Sequence, residues 1–156
     1  MTGSQHPAGK VASFDLERVV EAQSGGVHER ATAELRSGRK RSHWMWFVFP
    51  QMMGLGYSAV AVRYGITGID EARAYLAHPV LGARLQECAE TLDALDPRLS
   101  AFDIFRSPDD LKLRSSLTLF AQAAGPGSIF ERLLGKYFDG QCDDLTLAML
   151  QLQGRS

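Results

Sequence analysis

The residue types best suited to chemistry are concentrated in one segment of the 156-residue chain. Positions 38–51 read GRKRSHWMWFVFPQ, and a glycine-rich turn, GLGYS, follows at 54–58. The segment holds three consecutive cations, a histidine and both tryptophans of the chain. Cations attract an anion, aromatic faces stack on a planar ring, and glycine amides allow close backbone approach to a ligand. The segment therefore predicts an anion pocket.

A purely structural interpretation of the same segment stays open. In it the aromatic residues fill the core, the cations are solvated and the glycines only turn the chain. His43 has two corresponding roles, either as a general acid or base or as a hydrogen-bond partner of the backbone at a helix start. His78 precedes Pro79 and is interpreted as a capping or turning residue at a helix boundary.

A second polar cluster lies at positions 109–118, which read DDLKLRSSLT. Helical spacing places Ser116 one turn beyond Lys112, with Ser115 on a neighbouring row. Serine and threonine are mildly unfavourable inside a helix, so their presence indicates either a site or hydroxyl groups that bond back to helix carbonyls. A serine beside a lysine can form a nucleophile–base pair, but many helices contain this spacing.

Metal and cofactor chemistry has no support in the motifs. Cys88 and Cys142 are the only cysteines and have no CxxC spacing, and the sequence contains no HExxH, GxSxG, GxGxxG or Walker A pattern. We therefore predict no metal and no cofactor. Unpaired cysteines fit a reducing compartment, and so we expect a cytoplasmic protein.

The pattern of the whole chain predicts a single all-α domain. Residues 1–13 are interpreted as a flexible leader and residues 14–152 as a compact bundle of about seven to nine helices without a substantial sheet. The clearest helix is expected from about Pro108 to Ala124, with Ser107 as its cap and Leu111, Leu113, Leu117 and Phe120 as the central packing row. The formal net charge is −1, and no apolar stretch approaches the ~20 residues of a membrane span. No strong nucleic-acid signal and no membrane contact are therefore expected.

Three sequence blocks resemble a known family. They read GRKRSHWMWFVFPQMMGLGYSAVAVRYGI from position 38, EARAYLAHPVLGARL from position 71 and DDLKLRSSLTLFA from position 109. From about Phe14 to Leu150 the chain is similar to the bacterial domain-of-unknown-function family numbered 1810. This resemblance implies an all-helical fold and carries no established activity. The order of the late elements is also loosely similar to that of NADAR-type N-glycosidase domains, which act on ADP-ribose conjugates.

The resemblance also marks individual positions. Polar or special positions of the family pattern match Lys40, His43, Trp44, Trp46, Pro50, Gln51, Gly54, Gly56, Ser58, His78, Pro79, Gly82, Asp110, Lys112, Ser116 and Thr118. One position departs from it, because Arg106 stands where the family usually has glycine. A close backbone approach is therefore not expected at Arg106.

Together these observations predict a site for a small anion that resembles a nucleotide or an ADP-ribosyl group, with or without hydrolysis. The expected ligand contacts are Lys40, Trp44, Trp46, Gln51, Ser58, Lys112 and Ser116, and the expected proton-transfer residues are His43 and Asp110. The two polar segments should then lie in one neighbourhood. Two alternatives stay open: a protein- or RNA-interaction module that uses the same residues without catalysis, and two clusters that only hold the fold together. A concave site would distinguish the small-molecule hypothesis from the interaction module.

Overall fold

The computed structural model describes residues 14–154, and over this range the prediction of an all-α fold is confirmed. Ten helices follow one another: α1 Glu17–Ala22, α2 Val27–Arg36, α3 Met45–Val48, α4 Ala59–Tyr64, α5 Ile69–Ala77, α6 Leu81–Ala94, α7 Ala101–Phe105, α8 Asp109–Ala124, α9 Ile129–Phe138 and α10 Asp144–Gly154. Within that range the only extended pairing is an isolated bridge between Met52 and Ile66. The leader predicted over 1–13 lies outside the described residues.

Helix α8 is the central element of the core. It packs against α5, α7, α9 and α10. Leu113, Leu117 and Phe120 are completely buried, as predicted, whereas Leu111 is 51% exposed. Inclusion of Leu111 in the packing row was wrong because α8 begins at the edge of the molecule, where its first turn is only partly covered. None of the helices in the described part of the chain is long and apolar enough to span a bilayer.

The start of α8 differs from the prediction. Pro108 occupies the position before the first helical residue, and no side chain caps the helix. Instead of the Ser107 hydroxyl, the carbonyl oxygen of Arg106 accepts the hydrogen bond from the amide of Asp110, at 2.9 Å. The backbone itself therefore satisfies the amide that a serine cap would have satisfied.

Arg106 has a positive φ of 61° with ψ of 172°. This combination is favourable almost only for glycine. The resemblance had assigned a glycine to this position, and the structure gives the reason, which is backbone conformation. The guanidinium of Arg106 lies over the Phe102 ring, 5.3 Å from its centroid, and this contact offsets part of the strain.

We expect Arg106→Gly to raise the free energy of unfolding by about 1 kcal/mol. Relief of strain worth about 1–3 kcal/mol should exceed the loss of one exposed cation–π contact and the greater entropy of glycine in the unfolded chain. Denaturant unfolding of the two proteins measures the difference. A less stable glycine variant would show that the backbone at this position is not strained.

The junction between α5 and α6 depends on His78 and Gly82, two of the three residues that the resemblance marks there. The Nδ1 atom of His78 accepts hydrogen bonds from the amides of Val80 and Leu81, which begin α6. A Cβ atom at Gly82 would lie only 2.2 Å from the carbonyl oxygen of Leu76. His78 thus has the capping role predicted for it, and Gly82 permits α5 and α6 to approach closely.

Two polar side chains, one in α1 and one at its end, form hydrogen bonds to the backbone of residues 47–65. The side-chain amide of Gln23 donates to the carbonyl oxygen of Phe47 at 2.6 Å. The guanidinium of Arg18 donates to the carbonyl oxygen of Gly65 at 2.9 Å and pairs with Glu71 at 3.1 Å. Glu71 is 3% exposed, so this ion pair is almost fully withdrawn from water. These contacts fix both ends of residues 47–65 against the helical core.

Candidate functional site

The two polar segments meet at a shared carboxylate. Asp109, in the first turn of α8, places one carboxylate oxygen 2.9 Å from the Lys40 ammonium and the other 3.4 Å from the Lys112 ammonium. The Lys40 ammonium also donates to the carbonyl oxygen of Ser42, at 2.5 Å. Two lysines that are distant in sequence are therefore neighbours, and one carboxylate neutralises only half of their charge.

Trp46 forms the aromatic part of this cluster. The Lys112 ammonium lies 3.7 Å from the centroid of the Trp46 ring, which is within the range of a cation–π interaction. The Trp46 side chain is half-buried. Its ring is therefore partly accessible from solvent and has a cation directly on one face. We use the name lysine–tryptophan cluster for Lys40, Trp46, Asp109 and Lys112.

Trp44 lies in the core beneath the cluster. It is 1% exposed, and its ring packs against Phe49 and Phe105 at centroid distances of 6.4 Å. Lys40 covers the Trp44 ring with its ammonium 5.1 Å from the centroid. Trp46 is therefore the tryptophan whose ring is accessible, and Trp44 supports the site by packing.

The loop at 39–44 already holds an anion, which is the carboxylate of Glu34 in α2. The amides of Arg41 and Ser42 and the Trp44 indole donate to one oxygen of Glu34, at 2.7–3.0 Å, and the Ser42 hydroxyl donates to the other at 2.5 Å. Burial alone would raise the pKa of Glu34, but the bonds from Ser42, Arg41 and Trp44 outweigh it and lower this pKa to about 2. The Glu34 carboxylate, a group of the protein itself, thus accepts the hydrogen bonds of the Arg41 and Ser42 amides in this loop.

The serine and threonine residues of α8 divide into two groups. The hydroxyls of Ser115 and Thr118 bond back to the carbonyl oxygens of Leu111 and Arg114, at 3.3 and 2.8 Å. This is the back-bonding favoured for such residues. Ser116 is different, because it is 1% exposed and its hydroxyl has no hydrogen-bond partner among residues 14–154. It lies one turn beyond Lys112 on the same face of α8.

The remaining predicted site residues lie outside the lysine–tryptophan cluster. His43 is exposed and has no hydrogen bond to any described residue. Among the described residues, the Asp110 carboxylate accepts only from the amide of Leu111, at 2.9 Å. Ser58 caps α4 by accepting from the amide of Ala61 at 3.1 Å, and Gln51 contributes its backbone oxygen to the amide of Ile66 at 2.9 Å. Their roles toward a ligand stay predictions.

Two residues of this region were missed by sequence reasoning. Asp109 stands three residues before Lys112, a spacing that brings the two side chains together on a helix, and this signal could have identified the pair. Glu34 gives no comparable signal. Its hydrogen-bond partners, Arg41, Ser42 and Trp44, lie beyond the end of the helix, in a loop whose conformation cannot be read from residue spacing. In the described part of the chain, no three His, Cys, Asp or Glu side chains are grouped so that they could hold a metal ion.

Four surface cavities, of about 240 to 520 Å³, lie away from the lysine–tryptophan cluster. The largest lies between α2 and α6 and is bordered by Arg36, Glu87 and Glu90. Cys142 borders another, whereas burial raises the pKa of the Cys88 thiol to about 12 and makes it unreactive. Lys40, Trp46, Asp109 and Lys112 border none of these four cavities.

Comparison with known proteins agrees with this architecture. A crystal structure at 1.38 Å of the conserved hypothetical protein Rv1873 from Mycobacterium tuberculosis is 53% identical to this chain, with a TM-score of 0.85. The match covers 88% of this chain and 97% of that one. No curated protein matches significantly. The model of a family described as "Protein of unknown function (DUF1810)" matches residues 13–150, and the chain therefore belongs to the DUF1810 family.

Proposed function

We propose that this protein binds a small anionic ligand with a planar ring, such as a nucleotide or an ADP-ribosyl group, at the lysine–tryptophan cluster. The observation that carries the proposal is the convergence of Lys40 and Lys112 on one carboxylate beside an accessible tryptophan ring. Two cations and one anion leave a net positive charge in a partly water-excluded place, where it attracts an anion most strongly.

The parts of the cluster suit different parts of such a ligand. The Lys112 side chain is 22% exposed, and its ammonium retains donors for a phosphate oxygen beyond its contact with Asp109. The Trp46 ring offers a face for a base or a nicotinamide-like ring. Ser116 supplies a buried hydroxyl without a partner, which a ligand atom or a water molecule would satisfy.

Hydrolysis would require a group that moves a proton. Asp110 is next to Asp109 in the sequence and makes only one side-chain hydrogen bond, to a backbone amide. His43 is exposed on the loop that also carries Lys40. Both residues are therefore available to a bound ligand, and we assign them the proton-transfer roles in any hydrolytic step.

We expect Lys112→Ala to weaken nucleotide affinity about ten- to a hundredfold without a large loss of stability. A charge-assisted hydrogen bond is worth roughly 1.5–3 kcal/mol, whereas a partly exposed ion pair within one helix turn, such as Lys112 with Asp109, contributes roughly 0.3–0.5 kcal/mol to folding. Calorimetric titration with ADP-ribose and ATP, beside a melting curve, measures both effects. Lys40 is unsuitable for this substitution because its side chain is only 8% exposed and links two segments of the core.

The matched control is Arg73→Ala, which removes an exposed cation from α5, outside the cluster. It should bind nucleotides as the wild type does. If the wild type binds neither ADP-ribose nor ATP, the proposed function is wrong. If both variants bind as the wild type does, the ligand is bound elsewhere on the protein.

A second candidate function is supported by one observation. The turn before α4 and α4 itself expose several apolar side chains: Met53, Tyr57, Val60 and Val62. Tyr57 is 89% exposed, which is unusual for so large an aromatic residue. Such a surface suits a protein partner rather than a nucleotide, and the interaction module would then use this surface instead of the lysine–tryptophan cluster.

A further inference from the structure

We propose that Asp109 is an internal counter-ion which occupies the place of a terminal phosphate group, and that ligands bind by displacing it from Lys40 and Lys112. This inference rests on the proposed function and names the chemical class that the cluster selects, which is a terminal phosphate or diphosphate. It also assigns Asp109 a regulatory role, because in the free protein its carboxylate neutralises part of the positive charge that a ligand would meet.

The geometry of the carboxylate supports this role. Each of its two oxygens is directed to a different lysine, at 2.9 and 3.4 Å, so that the carboxylate bridges the two ammonium groups. The oxygens of a phosphate are spaced much as those of a carboxylate are. A terminal phosphate can therefore bridge the same two lysines without a rearrangement of either segment.

Charge decides which anions can displace Asp109. A phosphate monoester carries about −1.5 to −2 charges at neutral pH and three acceptor oxygens, whereas a carboxylate carries one charge and two oxygens. The two ammonium groups therefore bind a phosphate more strongly than they bind the Asp109 carboxylate. A free carboxylate has no such advantage, because Asp109 has the same charge and is already held beside the lysines by the chain. One turn beyond Lys112 on α8, Ser116 has a buried hydroxyl without a partner among residues 14–154.

The position of Asp109 keeps the free energy needed to move its carboxylate away from the lysines small. It is the first residue of α8, and its side chain is 20% exposed. A carboxylate that rotates from the lysines into water at this point stays near the positive end of the helix dipole, which stabilises it. Displacement thus exchanges one favourable electrostatic environment for another and does not leave a buried charge unpaired.

The experiment is a calorimetric titration with pyrophosphate at fixed ionic strength, on the wild type, Asp109→Asn and Asp144→Asn. Asp144 is in the first turn of α10, so the last variant removes the same charge from an equivalent helix position outside the cluster. We expect Asp109→Asn to bind pyrophosphate about tenfold more tightly than the wild type, and Asp144→Asn to bind it as the wild type does. Acetate should bind weakly to all three proteins.

Each outcome has a distinct meaning. Tighter binding by Asp109→Asn alone, including binding where the wild type shows none, supports displacement. If the wild type binds and Asp109→Asn binds equally or more weakly, or if Asp144→Asn gains as much, the displacement proposal is overturned while the proposed function stands. If neither the wild type nor Asp109→Asn binds pyrophosphate or ADP-ribose, both proposals fall. Asp109→Ser, which also suits a helix start, replaces the asparagine variant if melting curves show that variant unfolded.

Discussion

Leu117→Ala should lower the free energy of unfolding by about 2–5 kcal/mol. Leu117 is 1% exposed in α8, the helix that packs against four others, so the truncation leaves a cavity that rigid neighbours on all sides cannot fill. The loss includes the transfer free energy of the deleted atoms and the lost packing contacts. Denaturant-induced unfolding, followed by far-UV circular dichroism, measures this loss as a lower midpoint concentration of denaturant. The dependence of the unfolding free energy on denaturant concentration should stay the same in both proteins.

The control for this prediction lies on the same helix. Leu111→Ala removes the same atoms from a side chain that is 51% exposed, and it should change stability by no more than about 0.5 kcal/mol. Helix propensity is nearly the same for both substitutions, so the difference between them reports burial alone. Equal losses at the two positions would contradict the assignment of α8 as the central helix.

The long helices could be predicted from the sequence because their apolar residues recur with helical period. Helices α6, α8 and α9 have this pattern over ten residues or more. Ser128 caps α9, because its hydroxyl oxygen accepts a hydrogen bond from the amide of Glu131 at 3.2 Å. Helices α4 and α7 could not be predicted, because six and five residues are too few for a period to be recognised. The run from Trp44 to Phe49, which contains α3, is also too short for its period to decide between a helix and a buried strand.

The start of α8 shows that a capping pattern of a few residues does not always predict which group caps a helix. A serine before Pro-Asp-Asp is a strong capping pattern, yet the backbone turn at Arg106 provides the acceptor instead. That turn is stabilised by the packing of α7 against α8, which is a long-range property of the fold. A rule that considers only four residues cannot include it.

The candidate site was predictable in its residue types and only partly in its arrangement. The cations and aromatics of positions 38–51 identified Lys40 and Trp46 as candidates, and the polar cluster at 109–118 identified Lys112. Which carboxylate lies between the two lysines depends on tertiary packing. Asp110 was selected as the functional carboxylate, whereas Asp109 is the one that bridges the lysines. Adjacent helical residues lie about 100° apart around the axis, so a shift of one residue changes the neighbours completely.

The second large effect is expected at Glu34, whose replacement by alanine should lower the free energy of unfolding by about 2–4 kcal/mol. The Trp44 indole is buried, and without the carboxylate its N–H group has no acceptor. The amides of Arg41 and Ser42 lose the same acceptor, but Arg41 is exposed and water can take the place of the carboxylate there. An unsatisfied buried donor such as the Trp44 indole costs about 1–3 kcal/mol. Glu29→Ala, on an exposed face of the same helix, is the matched control and should have little effect.

Glu34 should also make stability depend on pH. Its pKa is lowered from an ordinary 4.5 to about 2 in the folded protein, because the bonds from Ser42, Arg41 and Trp44 outweigh the effect of burial. A folded-state pKa below the unfolded one means that the stabilisation is fully present above about pH 4.5 and is lost as the pH falls toward 2. Water screening of this partly exposed carboxylate reduces the contribution to about 1–2 kcal/mol.

Comparison with Glu34→Gln isolates this contribution. Glutamine keeps an acceptor for the Trp44 indole and removes the titrating charge, so the variant should be less stable than the wild type at pH 6 and should approach it at pH 2.5. Denaturant unfolding of both proteins across this range gives the difference at each pH. A difference that stays constant with pH would mean that the Glu34 carboxylate does not titrate with a lowered pKa. The loop at 39–44 would then be held by hydrogen bonds that do not require an anion.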